Sequence, residues 1–280
     1  VTATALYVLT GCNSSAESAP PVRQQSADQP SAAPSLGDVE PPADLQSRLE
    51  TVARKFGGKV GIAIRAVDDE WTAGFGAGRL FPQQEASRLW VALALFDTID
   101  RGNTLATAEG VEDALQRNDR LATDRLIERA GGDEAVHAYL SRKQIDEVAV
   151  RPSDPATPDG LVRALARLQR GELLSLNSTA RLIGSFSKAD SPQGSIEAGL
   201  PPGWQFSRAV PLAELPRPIN GEHHDIGLLR ARDGRLFAVA VMTSGKGWTG
   251  PQRQRLSAMV TNELATWHTR TLSQRSPSTN

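Results

Sequence analysis

The chain has 280 residues, 39% hydrophobic and 22% charged, enough for one large domain or two small ones with a sizeable core. With a net charge of −1, no basic surplus points to nucleic acid or an anionic membrane. The single cysteine, Cys12, excludes an internal disulfide.

Val1 to Tyr7 is small and apolar, and Leu9-Thr10-Gly11-Cys12 resembles a bacterial lipobox, where the peptide is cut before a cysteine that then receives lipid. Residues 1–12 read as the remnant of an export signal, with Cys12 as the lipidation site. A stretch this short cannot span a bilayer, which takes roughly 20 apolar residues. Residues 13–43 turn to Ser, Ala, Pro, Gln and Asp, a composition that buries too little apolar surface to offset its ordering entropy. The expectation is a flexible tether reaching roughly 30 Å. Anchor and tether together predict a periplasmic domain standing off a membrane.

The folded part is expected over 44–270, followed by a disordered tail over 271–280. Leu45, Leu49, Val52, Ala53 and Phe56 recur at helical spacing, and Gly57-Gly58 ends that helix. Val60 to Ala66 reads as a strand, Asp68-Asp69 as a turn, and Trp71 to Gly76 as the returning strand. A helix from Ala86 to Asp100 is apolar nearly all round, the mark of a helix enclosed by protein. Residues 111–143 read as two helices broken at Gly131-Gly132. A proline-rich loop precedes a helix from Asp159 to Arg170, and another runs from Ser178 to Ser187, capped by Asn177 or Ser178. Strands follow at Trp204 to Ala209, Asp225 to Ala231 and Leu236 to Thr243, then a closing helix from Pro251 to about His268. This order predicts an α/β fold of the α+β type: an antiparallel five-stranded sheet flanked by the terminal helices, with an all-helical subdomain inserted between its halves.

Several stretches carry a resemblance to one family. They are Gln84 to Gly102; Ala122-Thr123-Asp124-Arg125-Leu126-Ile127 with Gly131-Gly132; Ala156 to Leu174; Gly199-Leu200-Pro201-Pro202-Gly203-Trp204; and His224 to Val241. In that order they resemble class A β-lactamases and penicillin-binding proteins over Asp44 to about Arg270. The resemblance implies a serine hydrolase fold whose nucleophilic serine heads the buried central helix, with a lysine three residues on. Glu85 stands in the serine's place and Arg88 in the lysine's, a carboxylate and a guanidinium three residues apart that are suited to an ion pair. The family's Ser-Asp-Asn element falls on Asn118-Asp119-Arg120, where arginine offers no acceptor. The loop that carries the family's deacylating glutamate is shortened to about 147–158, with Glu147 and Asp154 as its carboxylates. Ser207-Arg208-Ala209-Val210-Pro211 stands where a Lys-Thr-Gly strand is expected.

Every reacting position has thus changed. The reading is a non-catalytic, β-lactamase-like envelope lipoprotein without a cofactor, binding or scaffolding near peptidoglycan. By analogy its partner is a cell-wall peptide or another envelope protein, with Arg120 and Arg208 as candidate ligand-binding residues. The alternative is a divergent hydrolase acting on β-lactams or related amides with Ser87 as nucleophile, although its partner three residues on, Trp90, accepts no proton. Glu222-His223-His224-Asp225 has metal-ligand residue types, but neighbours on a strand point to opposite faces, so it reads as a solvated strand entrance. Arg163, Arg167 and Arg170 share one helix face, read as a wet surface, with an anion site as the alternative.

Overall fold

The structure, a computed structural model, describes residues 39–103, 106–117, 119–146, 148, 150–188, 195–210, 223–245 and 247–275. Cys12 and nearly all of the expected tether lie outside them, as do Asn118, Glu147 and Pro211.

Five strands make the body of one antiparallel sheet: β1 (Lys59–Ala66), β2 (Thr72–Phe75), β6 (Gln205–Arg208), β7 (His223–Arg230) and β8 (Leu236–Ser244). A two-residue strand, β5 (Ser187–Lys188), adds to one edge, giving the order β2-β1-β8-β7-β6-β5. The first two strands and the last group are neighbours through β1 and β8, which pair along their length from Lys59↔Ser244 to Ala66↔Phe237. A sheet whose halves are remote in sequence follows directly from that pairing.

Alternation along these strands builds two cores. Val60, Ile62 and Ile64 of β1 face α1 (Ala43–Phe56) and α8 (Gly250–Arg275), whose Leu45, Leu49, Leu256, Val260 and Leu264 are buried there. Ala63 of β1, with Ile226 and Leu228 of β7, faces the helical block. In that block α2 (Ser87–Asp100) is the centre, and every residue from Leu89 to Thr98 is buried. A helix with no wet side must be ringed by protein, and α3 (Val111–Gln116), α4 (Arg120–Ala130), α5 (Asp133–Arg142) and α7 (Leu176–Gly184) supply the ring. Between block and sheet runs α6 (Pro158–Gln169), started by the Thr157 hydroxyl accepting from Gly160 N at 3.0 Å.

Boundaries differ from expectation in three places, each for a local reason. The stretch read as one helix before Gly131 is two, α3 and α4, because Asp119 caps a new start by accepting from Ala122 N at 3.1 Å. α7 begins and ends earlier than read: its cap is Ser175, which accepts from Ser178 N at 3.2 Å, it stops at Gly184, and Ser187 belongs to β5. α8 runs on to Arg275, so residues 271–275 are helix and not tail; the first breaker after its start is Pro277. A further strand pair, β3 (Phe81–Pro82) with β4 (Pro155–Ala156), has no counterpart in the sequence reading.

Candidate functional site

The head of α2 is assembled by the segment that enters it. Gln83 is fully buried, and its side-chain oxygen accepts from Trp90 Nε1 at 2.8 Å while its amide nitrogen donates to the Arg151 carbonyl at 3.0 Å. Its backbone N–H reaches Asp154 O (3.1 Å), and that of Gln84 reaches Pro152 O (2.9 Å). The β3–β4 pair continues the same clamp through Phe81↔Ala156 and Pro82↔Pro155. Gly61 on β1 makes room for it, since a Cβ there would lie 2.5 Å from the Phe81 ring and 2.7 Å from Pro158. The clamp holds Gln84 at φ +48, a left-handed conformation that costs a non-glycine residue roughly 1–2 kcal/mol. The segment 151–154 is therefore bolted to the turn that carries Glu85.

Glu85 is half-buried in the single 3₁₀ turn Gln84–Ala86 that opens onto α2, where the helix dipole favours a carboxylate. Arg88, three residues on, does not form the expected ion pair with it, although Glu85 still attracts it at longer range. Arg88 Nη1 instead donates to the Ala114 carbonyl of α3 at 3.0 Å. Burial pushes the Arg88 guanidinium below its usual pKa, against the attraction of Glu85, Asp119 and Asp124. Ser87 is buried, 3% exposed, and its hydroxyl donates to Gln84 O at 2.8 Å. In this arrangement its oxygen supports the Gln84 turn and does not face solvent.

Asp119 is exposed and spends its carboxylate on the α4 cap, so the structure gives it a structural role. Arg120, the first residue of α4, is exposed at the same end, near enough for Asp119 to act on Arg88 electrostatically. Asp154 accepts from Arg151 N at 3.3 Å within its loop.

Arg208 requires a correction. It was a candidate ligand contact, yet it is 2% exposed and lies on the terminal-helix face of the sheet, away from the helical block. It pairs with Asp225 and binds Glu197 at 2.6 and 2.7 Å, with its guanidinium over the Phe206 ring. Burial alone would lower its pKa, but Asp225 and Glu197 outweigh that and hold it above the ordinary value. The residues that take the place of the Lys-Thr-Gly strand on the inner face are Ala209 and Val210, both buried and apolar, with Ala209 N bonded to Ile226 O at 3.0 Å.

The strand entrance at β7 splits as alternation demands. Asp225 turns to Arg208, whereas His224 turns to the helical side, edge-on to Phe81 (ring centroids 6.5 Å apart), with its Nε2 at the Pro82 carbonyl. The solvated entrance expected here is corrected at both residues: Asp225 is wholly buried and His224 nearly so, and the geometry of His224 makes it a bolt between β7 and the clamp. Nothing in a single sequence marks Gln83, Gln84 and His224 as one unit, because their contacts are 68 to 142 residues apart along the chain. Glu85 and Asp119 lie near enough to Arg88 to act on it electrostatically, Arg120 follows Asp119 at the start of α4, and Arg208 does not join them.

Comparison with known proteins accords with this architecture. The model of the beta-lactamase enzyme family matches residues 105–266. The chain is 24% identical over 201 residues to beta-lactamase CTX-M-8 of Citrobacter amalonaticus, covering 58% of this chain and 69% of that protein. The solved TLA-1 extended-spectrum beta-lactamase superposes with a TM-score of 0.72 at 19% identity, over 81% of this chain and 98% of the other. PBP-A superposes with a TM-score of 0.72 at 18% identity, over 83% and 98%. With its sheet, its enclosed α2 and a family match over more than half its length, the chain belongs to the beta-lactamase enzyme family.

Proposed function

We propose that this chain is a non-catalytic member of the family, held at the bacterial envelope by a lipid on Cys12, and that it binds a cell-wall peptide or an envelope protein through the α2 end of its fold. The observation that carries the reading is the pair Glu85 and Arg88 at the head of α2. A serine there attacks an acyl carbon once a neighbouring base takes its proton. A guanidinium cannot serve as that base, and it has no acceptor for the proton. The surroundings support the same reading, since Ser87 is buried behind the Gln84 carbonyl and Arg208 is committed to Asp225 on the far face. What remains is a mixed-charge rim of Glu85, Arg88, Asp119 and Arg120, suited to polar and zwitterionic ligands.

The second reading, a divergent hydrolase using Ser87, draws on family membership and on the strained Gln84 beside that residue; backbone strain gathers at reacting sites. Intact-mass spectrometry after incubation with penicillins and an activated serine probe separates the two. The binding reading expects no adduct on folded protein, and thermal stabilisation by muropeptides. A stoichiometric adduct mapped to Ser87 and lost in Ser87→Ala would replace it with the hydrolase.

A further inference from the structure

The end of α1, the start of β1, the end of β2 with its following turn, and the segment between β8 and α8 come together on one surface. Phe56, the last residue of α1, stacks on Trp248 with ring centroids 6.1 Å apart and planes 13° apart. Trp248 in turn covers Gly58, where a Cβ would lie 2.7 Å from the indole Nε1. Phe75, the last residue of β2, carries two guanidiniums, Arg79 at 5.0 Å and Arg54 at 6.0 Å from its ring centre. Arg79 Nη1 also donates to the Val60 carbonyl at 3.3 Å, and the Lys59 ammonium sits 4.8 Å over the Phe81 ring. On this surface Phe56, Phe75 and Trp248 are half-buried, and Leu80 is 56% exposed.

Residues 54–60 and 75–80 hold four basic side chains and no acidic one, a local feature in a chain of net charge −1. Glu50 pairs with Arg54 from the preceding turn of α1. Lys55, Lys59 and Arg79 are exposed, and among the described residues no carboxylate pairs with any of them. Long basic side chains lay their stems on apolar surface and hold their charge outward. Rings interleaved with such cations suit the headgroup layer of a bilayer, where the rings meet the acyl boundary and the cations meet phosphates. An acidic polypeptide would answer the cations alone; the half-buried rings and Leu80 add apolar area that a bilayer takes up. The chain also has the reach, since the tether expected over 13–43 extends roughly 30 Å and α1, at 14 residues, is about 21 Å long.

We infer that this surface docks on an anionic lipid bilayer, with Lys55, Lys59 and Arg79 at the lipid phosphates and Leu80 and the edge of Trp248 in the headgroup layer. The contact uses none of the residues at the head of α2. It is also separate from a lipid on Cys12, because the folded domain makes it without an acyl chain.

The test is flotation of the full chain carrying Cys12→Ser, which removes any acyl anchor, on phosphatidylcholine vesicles with and without phosphatidylglycerol. At about fivefold for each of the three cations, the anionic vesicles should be favoured by roughly 100-fold, an advantage that high salt screens away. Lys55→Gln combined with Lys59→Gln should cut binding by about 25-fold and leave Tm unchanged. Leu80→Ser, which alters an already exposed side chain, should weaken binding several-fold without changing its salt dependence. Equal recovery on both vesicle types overturns the inference, as does binding that survives the double lysine variant. Binding that Leu80→Ser leaves intact also overturns the bilayer, and displacement by polyglutamate then assigns the surface to an acidic polypeptide.

Discussion

Gln83 and Trp90 are both fully buried, and the indole N–H of one donates to the side-chain oxygen of the other at 2.8 Å. Because Gln83 also donates to the Arg151 carbonyl, one amide ties the central helix to the loop beside it. Replacing it with an apolar side chain leaves a buried indole donor and a carbonyl without this partner. We expect Gln83→Leu to lower unfolding free energy by about 1–3 kcal/mol in urea titrations and to increase proteolysis within 151–154. An unchanged midpoint would show that the clamp is redundant.

Much of this architecture is legible in the sequence because it rests on short-range pattern. The all-apolar run Leu89 to Phe96 announces an enclosed helix, and the alternation in Val60 to Ala66 announces a strand. Helix starts are less legible. Asp119 and Ser175 are capping residues in sequences rich in polar alternatives, and only the bonds to Ala122 N and Ser178 N single them out. At the site, residue types at Glu85 and Arg88 could be read but their pairing could not, since Arg88 finds the Ala114 carbonyl across a helix contact. Arg208 was misplaced for a simple reason. On a strand, one residue of register decides the face, and Arg208 shares the face of Phe206, not that of Ala209.

Asp225 is wholly buried against Arg208 and also accepts from Ile196 N at 3.0 Å. A buried ion pair contributes little beyond an apolar pair, but removing one partner leaves an uncompensated charge. Arg208→Met should therefore cost about 3–5 kcal/mol. Adding Asp225→Asn removes the orphaned charge and keeps an acceptor for Ile196 N, while Glu197, at 21% exposure, can turn toward water. We expect the double variant to recover at least half of the loss, measured in a double-mutant cycle by chemical denaturation. A double variant worse than Arg208→Met alone would contradict this account of the pair.

Gln84 at φ +48 carries a strain that glycine would not. Gln84→Gly should raise stability by up to about 1 kcal/mol, the relief of the left-handed conformation exceeding the added chain entropy. If that strain positions Glu85 for a ligand, the same substitution weakens muropeptide stabilisation while the resting Tm rises. Opposite movement of the two readouts is the expected signature. A fall in Tm would mean that the Gln84 side chain contributes more than its backbone costs.

Asp100, at the end of α2, gathers Ser175 N at 2.9 Å, Ser175 Oγ at 2.7 Å and Ser178 Oγ at 2.7 Å, and so fastens the start of α7 to α2. Partial burial would raise its pKa, but these hydrogen bonds to the carboxylate outweigh burial and hold it below the ordinary 3.8. With the folded value depressed, the unfolded chain binds the proton more readily. The contribution to stability is then complete above the ordinary value and is lost as pH falls through the folded one. Urea midpoints taken between about pH 2 and 6 should show Asp100→Asn less stable than the parent at the upper end, with the gap closing below about pH 4. A gap constant across the range would mean that the serines hold the amide as well as the carboxylate, and that the charge of Asp100 contributes nothing to the α2–α7 junction.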